Sequence, residues 1–154
     1  MFYMLFITTL IVFPLIIGGL IYIGFRPDNL LMFSWFQILG IDSVIFVLRD
    51  YLSQFDLLSW MIFWVPNGSW TFAFTAALTL IWLKSITPYK FIWITIPFIL
   101  GITMEVGQLL NILPGTFCYG DIIAHTIGAF SAFIIAYYLI FGKFKDLILK
   151  KIWG

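Results

Sequence analysis

The feature that most limits what this chain can fold into is an apolar run over residues 3–25 that holds no charged side chain. A helix needs about 20 such residues to cross the hydrocarbon core of a membrane, where each backbone amide must find its partner within the segment. The run is longer than the apolar part of a secretory signal and no small-x-small cleavage site follows it, so a retained first helix is expected. It ends at Arg26-Pro27-Asp28, where proline disfavours helical geometry in the preceding residue and the charges suit an interface. Pro14 within it is an expected kink.

Further runs of the same kind follow, and composition supports the same class. Of 154 residues 63% are apolar and only 10% are charged, which marks an integral membrane protein with no room for a separate soluble domain. The expected fold is all-α, a compact bundle of four transmembrane helices over about 3–25, 69–83, 91–113 and 121–141. Residues 30–52 add either an amphipathic interfacial helix or a fifth crossing, because Ser34, Gln37, Asp42 and Arg49 recur at helical spacing against an apolar face. Pro66-Asn67-Gly68-Ser69-Trp70 interrupts the next run, so the second crossing is expected to start there with Asn67 or Ser69 as its cap. Pro114-Gly115 is expected to stop the third. A net charge of +1 without a basic stripe argues against nucleic acid as a partner, and the single cysteine, Cys118, excludes an intrachain disulfide.

Orientation follows from the basic residues, which collect in cytoplasmic loops near membrane ends. With four crossings the N-terminus, the Lys84/Lys90 turn and the tail share one side and hold six of the eight basic residues. A fifth crossing would move the N-terminus but leave the later helices as they are. The C-terminus is therefore expected in the cytoplasm, with Asn67, Gly68, Ser69 and the turn over residues 114–120 facing outward.

Function is expected around that turn. Glu105, Gln108, Asp121 and His125 lie within one helical hairpin, and ionisable groups persist in hydrocarbon only when paired, wet or used. Glu105 and Gln108 are three apart and Asp121 and His125 four apart, so each pair shares a helix face. The antiparallel hairpin lets the faces meet, and Gly101 and Gly128 would permit close approach. With the third helix running to Leu113, Glu105 would lie roughly 12 Å in from its outer end. Blander roles stand beside a binding site. Asp121 suits a helix N-terminus, Glu105 suits a hydrogen bond to Gln108 or another helix, and His125 suits an interior bond to Asp121 or a carbonyl. Glu105, Asp121 and His125 would number enough for zinc, but their spacing matches no zinc signature, so neither a metal nor a cofactor is implied. Cys118 reads as an inert small residue.

The pattern Glu105-x-x-Gln108, then Pro114-Gly115-Thr116-Phe117, then Asp121-Ile122-Ile123-Ala124 and Gly128 resembles the VanZ-like family of small multi-pass membrane proteins. The likeness covers about the C-terminal third, and the Pro66-to-Trp70 segment resembles a subset of that family. Departures are the lack of an upstream Lys-x-x-His segment, His125 where asparagine is common, and the Cys118-Tyr119 pair. The resemblance implies a bacterial plasma-membrane protein of the cell envelope, and the family takes its name from a protein that raises resistance to the lipoglycopeptide teicoplanin. The leading expectation is a protein that binds an amphiphile or lipid-linked envelope intermediate, with Glu105, Gln108, Asp121 and His125 lining an outward pocket and Asn67, Ser69 and Trp70 forming its opposite rim. The alternatives are an enzyme acting on a lipid headgroup, with Glu105, Asp121 and His125 as acid, base or orienting groups, and an accessory subunit that uses them to lock helices or to meet a membrane partner. A proton path is weaker, because no polar trail is evident toward the lysine side.

Overall fold

A computed structural model describes residues 2–141, and these contain six helices and no strand. In chain order they are α1 (Phe2–Phe25), α2 (Leu31–Ile38), α3 (Asp42–Leu52), α4 (Ser59–Trp82), α5 (Lys90–Leu109) and α6 (Tyr119–Phe141). Three are long and apolar enough to cross a membrane, over Ile7–Phe25, Lys90–Leu109 and Tyr119–Phe141. The fourth expected crossing, placed over 69–83, belongs to a helix that is long enough at 24 residues but is not among those three. The lysines of the tail, residues 143–151, which carry most of the orientation argument, lie outside the described residues.

Pro66 does not start α4 but sits buried inside it, and the helix begins seven residues earlier at Ser59. Proline removes one amide and crowds the carbonyl four residues back, a local cost that packing against neighbours can offset. Here α4 is the central element, packing on α1, α5 and α6, most extensively on α6. Its polar side chains are turned inward. Thr71, Thr75 and Thr79, four residues apart, form one buried stripe, so the helix carries these hydroxyls without presenting them outward.

The order of contacts fixes the topology. Trp64 packs on Gly120, Gly68 on Ala124 and Gly128, and Thr71 on His125, so α4 and α6 run parallel. Gly101 meets His125 while Glu105 meets Cys118, which makes α5 antiparallel to α6. Gly18 lies against Trp70 and Ser69, and Arg26 reaches Phe63, so α1 is antiparallel to α4. One end of the bundle therefore gathers the start of α4 and α6 and the finish of α1 and α5. The other gathers Leu83, Ile94 and Ile140 in an apolar cluster.

The packing is inverted relative to a water-soluble core. Ala73, Ala76, Thr79, Ala132 and Ala136 are fully buried, whereas Phe13, Ile16, Ile99, Leu100, Ile127 and Phe130 are exposed. Small residues inside and large apolar ones outside are what helices in lipid require, since close approach and not water exclusion holds them together.

Residues 30–52 form neither one amphipathic helix nor a fifth crossing. Gly40, with φ +67, ends α2; its amide donates to the Gln37 carbonyl and that of Ile41 to the Phe36 carbonyl, the paired bonds of a Schellman stop. At about 1.5 Å per residue neither short helix reaches across a hydrocarbon core. α3 lies along α1, where Arg49 Nη1 donates to the Ile23 carbonyl at 3.1 Å and Leu52 packs on Gly24.

Candidate functional site

The hairpin between α5 and α6 begins with a second Schellman stop. Asn111, with φ 55, donates its amide to the Gln108 carbonyl and Ile112 donates to that of Gly107. The helix thus ends at Leu109, not at Leu113, because asparagine tolerates the left-handed conformation three residues before the Pro-Gly pair. Glu105 is accordingly about one turn from the end of α5, roughly 6 Å in place of the expected 12 Å.

Glu105 is 4% exposed, and its Oε2 accepts from the backbone amide of Cys118 at 3.1 Å. Cys118 immediately precedes α6, whose first amides have no partners in their own helix. A carboxylate on α5 therefore satisfies the entry to α6 across the hairpin. Among the described residues neither Gln108 nor another side chain partners Glu105, and the group that Cys118 contributes is its backbone amide. Charged hydrogen bonds of this kind contribute about 1.5 to 3 kcal/mol.

Asp121 is 7% exposed and occupies the third position of α6. Its Oδ1 is buried with no hydrogen-bond partner among the described residues, so a cap for that oxygen is not formed. The Asp121 amide donates to the carbonyl of Cys118, whose own amide is held by Glu105, and His125 follows one helical turn later, so Asp121 lies between the segments that carry the other two. Gln108 is half-buried, with Nε2 turned toward Gly115 and with Oε1 buried and unpartnered. Gly115 has φ +130, and a Cβ there would come within 2.6 Å of that Nε2, so the turn needs glycine for both reasons.

His125 is held differently. Its Nδ1 lies 2.6 Å from the hydroxyl of Thr71, and its ring fills the space a Cβ on Gly101 would take, 2.6 Å from Nδ1. Gly101 therefore admits an imidazole, and the backbone approach expected of it occurs instead between Gly128 and the Gly68 carbonyl. Beyond Thr71 the buried hydroxyls of Thr75 and Thr79 have no partner among the described residues, and the stripe closes on Leu83, Ile94 and Ile140. Polar groups do extend from His125 toward the Lys84 end, but an apolar cluster stops them. Among the described residues no three His, Cys, Asp or Glu side chains form a metal-ligating group, so Glu105, Asp121 and His125 do not make the set that zinc needs.

The expected opposite rim is not formed. With α4 running through Pro66, the residues Asn67, Ser69 and Trp70 lie within a helix and point in different directions. Trp70 stacks on Tyr22 of α1 at 5.8 Å, Ser69 faces an apolar cleft, and Asn67 is half-buried. That cleft, of about 610 Å³, opens between α1 and α6 over α4, where both pack on the same helix. Phe13, Ile17, Trp60, Trp64, Ala124 and Gly128 contribute to its walls, and none of Glu105, Gln108, Asp121 and His125 does. It ends close to them, however. Trp64 rests on Gly120, next to Asp121, and Ala124 and Gly128 follow Asp121 by three and seven residues on the same face. Trp64, Thr71 and Gly120 were not among the expected site residues; the glycine one residue before the aspartate was the available signal for the last of them.

No family model, curated protein or solved structure matches this chain.

Proposed function

We propose that this is a membrane protein of the bacterial cell envelope that binds an amphiphile, its chain in the α1/α4/α6 cleft and its headgroup against Asp121 and Gln108. The observation that carries the reading is Asp121, a carboxylate more than nine-tenths buried whose Oδ1 has no partner among the described residues, about one helical turn along α6 from Ala124 in the wall of an apolar cleft. Leaving such an atom bare costs about 1 to 3 kcal/mol or more, which a bound donor would offset. Ligand sites are commonly apolar with a few polar groups that fix orientation. In this reading α4 is the fourth crossing, its threonines shielded by α5 and α6, and the polar end faces outward as the basic residues favour. The same Glu105, Gln108 and Asp121 carry the VanZ-like resemblance, which supports an envelope lipid or lipid-linked intermediate as ligand and a role in sensitivity to lipoglycopeptides.

The test is to purify the protein in native-lipid nanodiscs and identify bound molecules by mass spectrometry, beside a Glu105→Gln/Asp121→Asn variant. An amphiphile enriched only on the wild type supports the reading. Identical bulk lipid on both sinks it and favours the accessory-subunit reading, for which two observations speak: Glu105 ties the α6 entry and His125 ties α4 to α6.

A further inference from the structure

Among the described residues, the buried groups left unpartnered in the α5/α6 hairpin are both acceptors, whereas at the finish of α1 Arg26 Nε is a buried donor without a partner. Asp121 Oδ1 and Gln108 Oε1 are buried without a donor, and Glu105 has one donor, the Cys118 amide, for its two oxygens. The charge that acts on Glu105 is that of Asp121, a like charge. Among the described residues no basic side chain is hydrogen-bonded to Asp121 Oδ1 or Gln108 Oε1. Arg26 lies over the Tyr22 and Phe63 rings, Arg49 is bound to the Ile23 carbonyl and sits over Phe33, and Lys84 and Lys90 flank the opposite end of the bundle. One imidazole can offset one carboxylate, and His125 already spends Nδ1 on Thr71. A buried charge without a counter-charge or donors is strongly unfavourable, so the α5/α6 hairpin around Asp121 is complementary to a positive group rich in N–H donors and repels an anionic one.

We infer that the headgroup bound at Asp121, Gln108 and Glu105 is cationic, a primary or substituted ammonium on a single apolar chain. This rests on the amphiphile reading above and narrows it. An ammonium presents up to three donors, enough for Asp121 Oδ1, Gln108 Oε1 and the free oxygen of Glu105, and its bonds to carboxylates are charge-assisted. Trp64, which lies between the cleft and Gly120, offers an indole ring at the point where chain meets headgroup. Such a ring favours a cation at its face.

The experiment compares three chain-brominated probes with one dodecyl chain, an amine, an alcohol and a phosphate, in nanodiscs of uncharged lipid. Saturable quenching of tryptophan fluorescence reports occupancy of the cleft walled by Trp60 and Trp64, whatever the headgroup. The expected result is that the amine binds at least tenfold more tightly than the alcohol, that the phosphate binds most weakly, and that Asp121→Asn removes the preference. Glu105→Gln, which keeps an acceptor for the Cys118 amide, should reduce the preference and stands in if Asp121→Asn does not fold. Equal saturable binding of all three overturns the cationic assignment and leaves the cleft as an amphiphile site. Preference for the phosphate, or an amine preference unchanged in both variants, overturns the assignment in the same way. Absence of saturable quenching by any probe overturns the amphiphile reading itself.

Discussion

At the end of the bundle where α4 finishes and α5 begins, Leu83, Ile94 and Ile140 close on one another and Trp82 stacks on Trp93 at 5.5 Å. At the other end the same helices bring together Glu105, Gln108 and Asp121 and leave buried oxygens of two of them bare. Between the ends lies a seam of glycine, alanine and threonine that lets α4 and α6 touch. The apolar end is built as membrane helices are usually held, by surfaces that fit. The polar end gives up part of that stability, as sites that await a ligand commonly do.

The largest effect should come from the seam on which both ends depend. Gly128→Ala puts a methyl into the Gly68 carbonyl of α4 and should lower unfolding free energy by about 3 kcal/mol, the upper part of the overpacking range. Gly19→Ala, where nothing lies within 4 Å, should instead stabilise α1 by about 0.5 to 1 kcal/mol. Steric trapping or SDS titration of both variants in mixed micelles measures the contrast. A small loss at Gly128 would mean that α4 and α6 are not locked.

The next effect tests the carboxylate of Glu105. Glu105→Ala strips the Cys118 amide of its acceptor and should cost about 2 kcal/mol, whereas Glu105→Gln keeps an acceptor and should cost under about 1 kcal/mol. Hydrogen exchange at the Cys118 amide should rise with the alanine variant and not with the glutamine one. Smaller still is the contrast within the threonine stripe. Thr71→Val removes the partner of His125 and should cost about 0.6 kcal/mol, typical of one interhelical bond in a bilayer. Thr75→Val deletes a buried hydroxyl that has no partner and should be neutral or slightly stabilising within about 0.5 kcal/mol. Equal losses at both positions would show that Thr75 has a partner such as a buried water.

The class of fold was open to reading because apolar runs and sparse charge state it directly, and the polar hairpin stood out for the same reason. What went astray was punctuation. Pro66 looked like a helix start, yet a proline inside a helix can be carried by its neighbours when it is buried among them. Gly40 and Asn111 are the true stops, and both are residue types that adopt left-handed backbone at little cost. Reading past them joined α2 to α3 and lengthened α5, which put Glu105 too deep. The partners of the site residues were not legible, since Thr71 and Trp64 reach His125 and Gly120 only through the parallel packing of α4 on α6. Spacing along one chain segment cannot report that register.

The central claim is that Asp121 is kept for a ligand and not for the fold, and the unfolding free energy of Asp121→Asn in ligand-free micelles tests it most directly. The change keeps the shape of the side chain and gives up only a helix-dipole contribution of about 0.3 to 1 kcal/mol, offset by removing a buried charge. Stability within about 1 kcal/mol of the wild type, or above it, is the expected result. A loss of about 2 kcal/mol or more would mean that the carboxylate holds α6 in place, and would contradict the account.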